Sequence, residues 1–466
     1  MKKSHVSFII AAALAAALLA GCGSSGSSAD ASGSGKAGGQ TRVQEAGSQD
    51  GTDSGTKGAL SGEITFWHSF TQGPRLETIQ KAADKFMEEN PDVKINIETF
   101  SWNDFYTKWT TGLASGNVPD MSTALPAQVA EMINADALLP VNDLIDGIGR
   151  DKFAEAAISE GTVDGNNYSV PLYRHAHVMW IRKDLLEKTV WKSPRPGMSF
   201  TTQPRLLQRT ASTDCLSHAE PMTSRQPFSL DFYVRSGGGS LLTDDLKANL
   251  TSDLAIDGIN YWVKVYNDCS PKDSINFDVL DQATLYYQGK TAFDFNSGFQ
   301  ISGVAANSPD LLQYVDCYPV PKIHADDGTE GIMTTNTPMV VWKASKHPEI
   351  CKAFMKTLYE EDTYVEFLHA TPVGMLPAIK GIADTDAYKD DETIKQFAHA
   401  EEVLTAAADI GTAFGYEHGP NVQAGIMQNN HVIEEMFQDI ITNGTDVRTA
   451  AKAAQDKLNA LFETAE

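Results

Sequence analysis

The sequence predicts an α/β protein with a parallel sheet covered by helices, and three observations predict it. Ile64-Thr65-Phe66-Trp67 and Val93-Lys94-Ile95-Asn96-Ile97-Glu98 read as strands, the second by its apolar alternation. Between them Leu76, Ile79, Ala83, Phe86 and Met87 recur near helical spacing. The chain has 466 residues and 42% apolar content, enough for two or three domains and a large core.

The fold is expected to start at Glu63. The helix over 76–89 stops at Asn90-Pro91, because proline disfavours helical backbone before it. A second helix is expected over 105–114, and Asp120-Met121-Ser122-Thr123 as a third short strand. In such a β-α-β-α-β order ligands bind beyond the C-terminal strand ends, here after Phe66, Thr99 and Met121. Tyr168-Ser169-Val170-Pro171, His177-Val178-Met179-Trp180, Phe293-Asp294-Phe295 and Met339-Val340-Val341-Trp342 are strand-like. Helices are expected over 254–267 and 350–358, and 393–462 is mostly helical. No internal repeat is evident.

The net charge of -24 disfavours nucleic acid and anionic lipid headgroups as partners. At the N-terminus, Lys2 and Lys3 precede an apolar run over 8–19 and then Leu19-Ala20-Gly21-Cys22, the pattern of a secretory signal. The run is short for a membrane span. The four residues ending at Cys22 resemble the lipobox of bacterial lipoproteins, in which cleavage before the Cys leaves it carrying acyl chains. Two or more chains anchor stably. An ordinary signal peptide with an incidental Cys is the alternative. Residues 23–60 are rich in Gly, Ser and Asp and are expected to form a flexible linker. Its Gly33-Ser34-Gly35-Lys36 is superficially like a phosphate loop, but neither a following Ser or Thr nor a preceding strand supports it. The remaining cysteines, Cys215, Cys269, Cys317 and Cys351, show no CxxC pair. Cys269, Cys317 and Cys351 read as isolated buried thiols, with a Cys269–Cys317 disulfide as the alternative. No later segment is a transmembrane candidate.

Ile64-Thr65-Phe66-Trp67-His68, Phe86 through Asn90-Pro91, and Ala114-Ser115-Gly116-Asn117-Val118-Pro119-Asp120 resemble the N-terminal lobe of family 1 bacterial extracellular solute-binding proteins. Gly165-Asn166-Asn167-Tyr168-Ser169-Val170-Pro171, Arg182-Lys183-Asp184-Leu185, Phe295-Asn296-Ser297-Gly298 and Ala344-Ser345-Lys346-His347-Pro348-Glu349 fit that family's later landmarks in order. The resemblance implies a two-lobed, type II periplasmic-binding-protein-like α/β fold with hinge-crossing strands near 171–175, 331–334 and 376–381. It places an N-terminal lobe at 61–172 plus 333–378 and a C-terminal lobe at 176–330 plus 382–466. It also implies a monomer without a cofactor, anchored to the membrane by lipid alone. The monomer would close on a mono- or oligosaccharide and deliver it to the permease of an ABC importer.

The resemblance breaks between Val190 and Ser229, where Arg195, Arg205, Arg209 and Arg225 and five prolines show no period. Plausible codons from Trp191, read from their third base, encode Glu-Val-Pro-Lys-Thr-Trp-Asp-Glu-Phe, which matches the family's missing helix start. A compensated frameshift, or a genuine irregular insertion, explains the stretch.

Carbohydrate binders use aromatic faces together with polar side chains for hydroxyls. The expected loops and crossings hold Trp67, His68, Trp102, Asp120, Tyr173, Arg174, Phe295, Asn296 and Asn336. Alternatives stay open: Trp67 as strand core, Asp120 as a turn cap, Arg174 in an ion pair between the lobes. Trp109 and Trp342 read as core. HExxH and GxSxG are absent, and His175 and His177 could suit a metal only with a third ligand that is not apparent. A surface enzyme acting on glycans, or the same fold binding a glycerol-phosphodiester or a peptide, are the competing functions. With Arg174 as the one clear cation among the candidates, a neutral sugar is favoured.

Overall fold

Strand β1 (Gly62–His68) runs parallel to β2 (Val93–Thr99) on one side and to β3 (Met121–Thr123) on the other. This computed structural model describes residues 59–71, 73–187, 226–277, 279–323 and 331–464. Cys22, the linker up to residue 58, and residues 188–225 of the irregular stretch lie outside the described residues. The connections are helices α1 (Pro74–Glu89) and α2 (Trp102–Ser115). Pro74 opens α1, where its missing N–H costs no helical bond. Ser101 caps α2, its side chain accepting from the Asp104 N–H, and Gly116 ends it in the left-handed conformation. Helix α3 (Pro126–Asn134) follows β3.

The sheet is mixed rather than wholly parallel. After the small hairpin β4 (Thr162–Val163) and β5 (Asn166–Asn167), β6 (Val170–Ala176) joins it through a much later strand. That strand, β10 (Thr334–Val341), is antiparallel to both β3 and β6, and β11 (Leu376–Pro377) borders β6. The order is β11-β6-β10-β3-β1-β2. A second sheet is antiparallel, with β7 (Val178–Arg182) between β8 (Phe293–Asn296) and β9 (Val315–Tyr318). Only His177 separates β6 from β7, so one run of chain enters both sheets.

Ile64, Phe66, Ile79, Phe86 and Phe354 belong to the core of the first sheet. Met179, Leu230, Trp262, Phe295 and Phe437 belong to that of the second. A smaller cluster gathers Trp67, Phe105, Trp109 and Trp342, so both Trp109 and Trp342 are core. Leu404 and Ala407, on the helix Ala398–Ile410, share a cluster with Leu172 of β6 and with Trp180 and Cys317 of the second sheet. The helix Gln226–Ser236 begins inside the irregular stretch: Ser229 accepts the Trp262 indole N–H at 2.7 Å through its carbonyl.

Cys317 and Cys351 are free and buried, so the Cys269–Cys317 disulfide is not formed. Burial pushes the Cys351 thiol up to about 12 and Cys317 well above its usual range. Among the described residues no helix is long and apolar enough to cross a membrane.

Candidate functional site

Side chains alternate faces along a strand, and β6 divides its residues accordingly. Tyr173 lies opposite Thr337 and His175 opposite Thr335, while Arg174 lies opposite Asn336 on the reverse face. The Tyr173 face carries a run of rings, of which Phe70 and Tyr173 are buried and belong to the core of the first sheet while Phe299 is partly buried against it. Phe70, just beyond β1, lies 6.2 Å from Tyr173 and 5.7 Å from Phe367. Tyr173 lies 6.1 Å from His175, and His175 meets Phe299 edge-on at 5.9 Å. Phe299 opens the helix Phe299–Asn307 that follows β8. The run therefore joins the C-terminal end of β1 in the first sheet to the end of β8 in the second. Over the two end rings lies Arg75 of α1, its guanidinium carbon 5.3 Å from the Phe70 centroid and 5.4 Å from that of Phe299.

Several of the buried polar atoms without a protein partner belong to these strands and the helix after β8: His68 Nε2 and Ser69 Oγ at the end of β1, Thr123 Oγ1 at the end of β3, Thr337 Oγ1 and the Gln300 amide; others, such as Arg174 Nη2 and Asn336 Oδ1, lie on the reverse face. Burial without a partner is costly, so such groups mark where a polar ligand would be received. His68 Nδ1 accepts the Phe70 N–H at 3.1 Å, which leaves the ring proton on Nε2. Burial, helped by the Arg75 charge, lowers the His68 pKa to about 4. At neutral pH it is an uncharged donor.

The reverse face of β6 and β10 is packed by protein except for a small cavity beside Arg174, Lys380, Thr405 and Asp409. Arg174 is 4% exposed and pairs with Asp409 of the Ala398–Ile410 helix at 3.1 Å. Asn336 donates to the Glu160 carboxylate and, at 3.4 Å, to the Ala157 carbonyl. Glu160 accepts the Ala413 N–H at 3.0 Å, and burial raises its pKa to about 7 against the hydrogen bonds from Asn336 and Ala413. Arg235 pairs with Asp231 at 2.7 Å and donates to the carbonyls of Ile332, Thr412 and Ala413. Arg174 thus ties β6 to the Ala398–Ile410 helix, and Asn336 ties β10 to Ala157 and Glu160, on the side away from Tyr173.

The other sequence candidates divide. His68 and Tyr173 are brought together around Phe70. Trp67, 3% exposed, takes the opposite face of β1 and packs on Phe100 at 5.4 Å, beneath the Lys108 ammonium. Asp120 stands at the N-terminal end of β3, where its two oxygens accept from the Thr65 N–H at 2.8 Å and the Ser345 hydroxyl at 2.6 Å. Phe295 packs into the second core against Phe232 at 5.7 Å and Trp262 at 6.2 Å. Asn296 accepts the Trp180 indole N–H at 3.0 Å through its carbonyl and the Ser297 N–H through its side chain. Trp102 begins α2, and its side chain lies outside the described residues. Sequence reasoning passed over Phe70, Arg75, Thr337 and Phe299. The strand period carries the signal for one of them: if Tyr173 faces the rings, its partner Thr337 does too. Among the described residues no group of three or more His, Cys, Asp or Glu could hold a metal ion.

A sequence profile described as bacterial extracellular solute-binding protein matches residues 72–364. The putative ABC transporter periplasmic-binding protein YcjN of Escherichia coli is 21% identical over 410 residues, 86% of this chain and 93% of that one. The arabinooligosaccharide-binding protein of Halalkalibacterium halodurans is 23% identical, covering 85% of this chain and 89% of its own length. The solute-binding protein of Thermotoga lettingae bound with α-D-tagatose superposes with a TM-score of 0.71 at 18% identity, covering 86% and 99% of the two chains. Maltose-bound MalE3 of T. maritima gives 0.70 at 19% identity, with the same coverage. These likenesses show the two-lobed fold.

Proposed function

The chain belongs to the bacterial extracellular solute-binding proteins, and from that premise we propose that it captures a carbohydrate between its lobes and delivers it to the permease of an ABC importer. The observation that carries this reading is the run of rings from Phe70 through Tyr173 to Phe299, edged by buried polar atoms without partners. Rings stack on sugar C–H faces, and hydroxyl groups satisfy stranded donors and acceptors. The relatives named for sugars support the same class. The lobes are taken as 61–172 plus 333–378 and 176–330 plus 382–466, hinged where β6 passes into β7. Closure without bond-making is the mechanism, and the receptor acts as a monomer. Two acyl chains on Cys22 would hold it at the outer face of the membrane on the 23–60 tether.

Titration calorimetry of the purified full chain against a sugar panel tests the reading. Saturable one-to-one binding, lost in Tyr173→Ala and without turnover of the sugar, is expected. Hydrolysis of the bound glycan would replace the receptor by an enzyme. Metabolic labelling with a palmitate analogue tests the anchor: label is expected on the wild type and absent from Cys22→Ala.

A further inference from the structure

Arg75 is set apart from every other described arginine. Arg150, Arg174, Arg182, Arg235 and Arg448 each pair with a carboxylate, with Asp146, Asp409, Asp184, Asp231 and Asp253 respectively. Arg75 forms no ion pair and its guanidinium donates no hydrogen bond among the described residues, in a chain holding 61 acidic residues against 37 Lys and Arg. Instead it spans Phe70, just beyond β1 of the first sheet, and Phe299, on the helix that follows β8 of the second. The stacked face of a guanidinium leaves its edge of N–H donors free, and that fork matches a carboxylate or phosphate.

Two further features point the same way. Arg75 sits at the second position of α1, a helix of 16 residues whose N-cap, Gly73, offers no side-chain hydrogen bond. The positive end of the helix is therefore uncapped at the C-terminal end of β1. Beside it stands His68, fully buried, whose Nε2 has no partner and whose Nδ1 is already committed to the Phe70 N–H. Ser69 Oγ, also buried without a partner, lies in the same turn. The first-turn acid Glu77 is exposed and two residues from Arg75, so the two side chains do not share a helix face.

We infer that the solute is a polyhydroxylated molecule bearing one anionic group, a carboxylate or a phosphate, and that Arg75, the α1 N-terminus and the His68 Nε2–H receive that group. The inference rests on the solute-binding role proposed above and deepens it. It replaces the neutral sugar favoured when Arg174 was the one cation in view, since Arg174 lies on the reverse face of β6, paired with Asp409.

Calorimetry on the full chain decides it. The anionic arms are galacturonate, digalacturonate, glucose 6-phosphate and sn-glycerol 3-phosphate. The neutral arms are galactose, galactobiose, glucose and glycerol. At least one anionic probe is expected to bind about 10- to 100-fold more tightly than its neutral counterpart, as for a charge-assisted hydrogen bond. The arm that binds tells a carboxylate from a phosphate. Arg75→Met should remove that advantage and leave the chain folded, with a melting temperature lowered only slightly, since Arg75 makes no ion pair among the described residues and its methionine replacement can still pack on Phe70 and Phe299. Arg75→Lys should retain part of it, and Arg448→Ala, which removes an exposed arginine paired with Asp253, should retain all of it. Tight binding of a neutral probe, with no preference for its anionic counterpart and no effect of Arg75→Met, overturns the inference while the receptor reading stands. Binding of neither class overturns both.

Discussion

The Glu160 carboxylate accepts the backbone N–H of Ala413 at 3.0 Å, across 253 positions of sequence. The same carboxylate takes the Asn336 amide, so one buried acid ties the loop after Glu155–Ser159 to β10 and to the segment after the Ala398–Ile410 helix. Its folded pKa, about 7, is above the ordinary value of 4.5. The native state therefore binds a proton more tightly than the unfolded chain does, and stability must fall as pH rises. The stabilisation is complete below about pH 4.5 and is lost as pH passes about 7. A shift of this size corresponds to about 3 kcal/mol. Asp231, also raised by burial, adds a slope of the same sign. Thermal melts from pH 4.5 to 8 should show a falling melting temperature, with a shallower fall in Glu160→Gln. The glutamine can keep the Ala413 bond, and the unpartnered Asn336 Oδ1 can accept from its amide.

Asp120→Ala separates a sheet residue from a ligand residue. The substitution strands the Thr65 N–H and the Ser345 hydroxyl and should cost about 2–3 kcal/mol in urea denaturation. Because Asp120 is at the N-terminal end of β3, solute affinity measured by calorimetry should stay within about threefold of wild type, well under the tenfold that 1.4 kcal/mol represents.

Gly298 leaves no room for a side chain. A Cβ there would stand 2.1 Å from the Val373 carbonyl oxygen and 2.8 Å from its carbon, both backbone atoms. Val373 is already held at φ 65°, so its loop has little freedom to yield. Gly298→Ala should destabilise by about 1–3 kcal/mol and, by displacing the adjacent Phe299, weaken solute binding as well. Chemical denaturation and calorimetry on the same sample read both effects.

Resequencing the gene across codons 191 to 228 should reveal two compensating single-base differences that restore a Pro-Lys-Thr-Trp-Asp-Glu helix start. Clean reads encoding the stretch as written would dispose of a sequencing error and leave a real double frameshift or an irregular insertion.

The early elements were legible because each has a local period. β1, α1, β2 and α2 fall where the apolar spacing puts them, with ends displaced by a few residues. The resemblance assigned β10 to the N-terminal lobe, but its pairing was not legible: its neighbours β3 and β6 are far off in sequence, and no local pattern encodes which strands pair. The site shows the same division. Tyr173 and Arg174 are adjacent in sequence but lie on opposite strand faces, and the period-two rule distinguishes them without any structure. Arg75 and Phe299 could not be joined that way, since their approach depends on how two separate sheets are brought together. Asp120 is near the right strand but at its wrong end, a matter of a few residues that only the register with β1 decides.

The position of β10 also governs when the protein can fold. It lies between β6 and β3, yet it is synthesised only from residue 334 onward. Until then β6 has no neighbour through which to reach β3, and the first sheet is a fragment with an open edge. Long-range closure of this kind is slow, and the first sheet cannot be completed until β10 has been made. For a member of an extracellular family, delay is an asset: a chain whose sheet cannot close early keeps longer the extended form that export across a membrane requires.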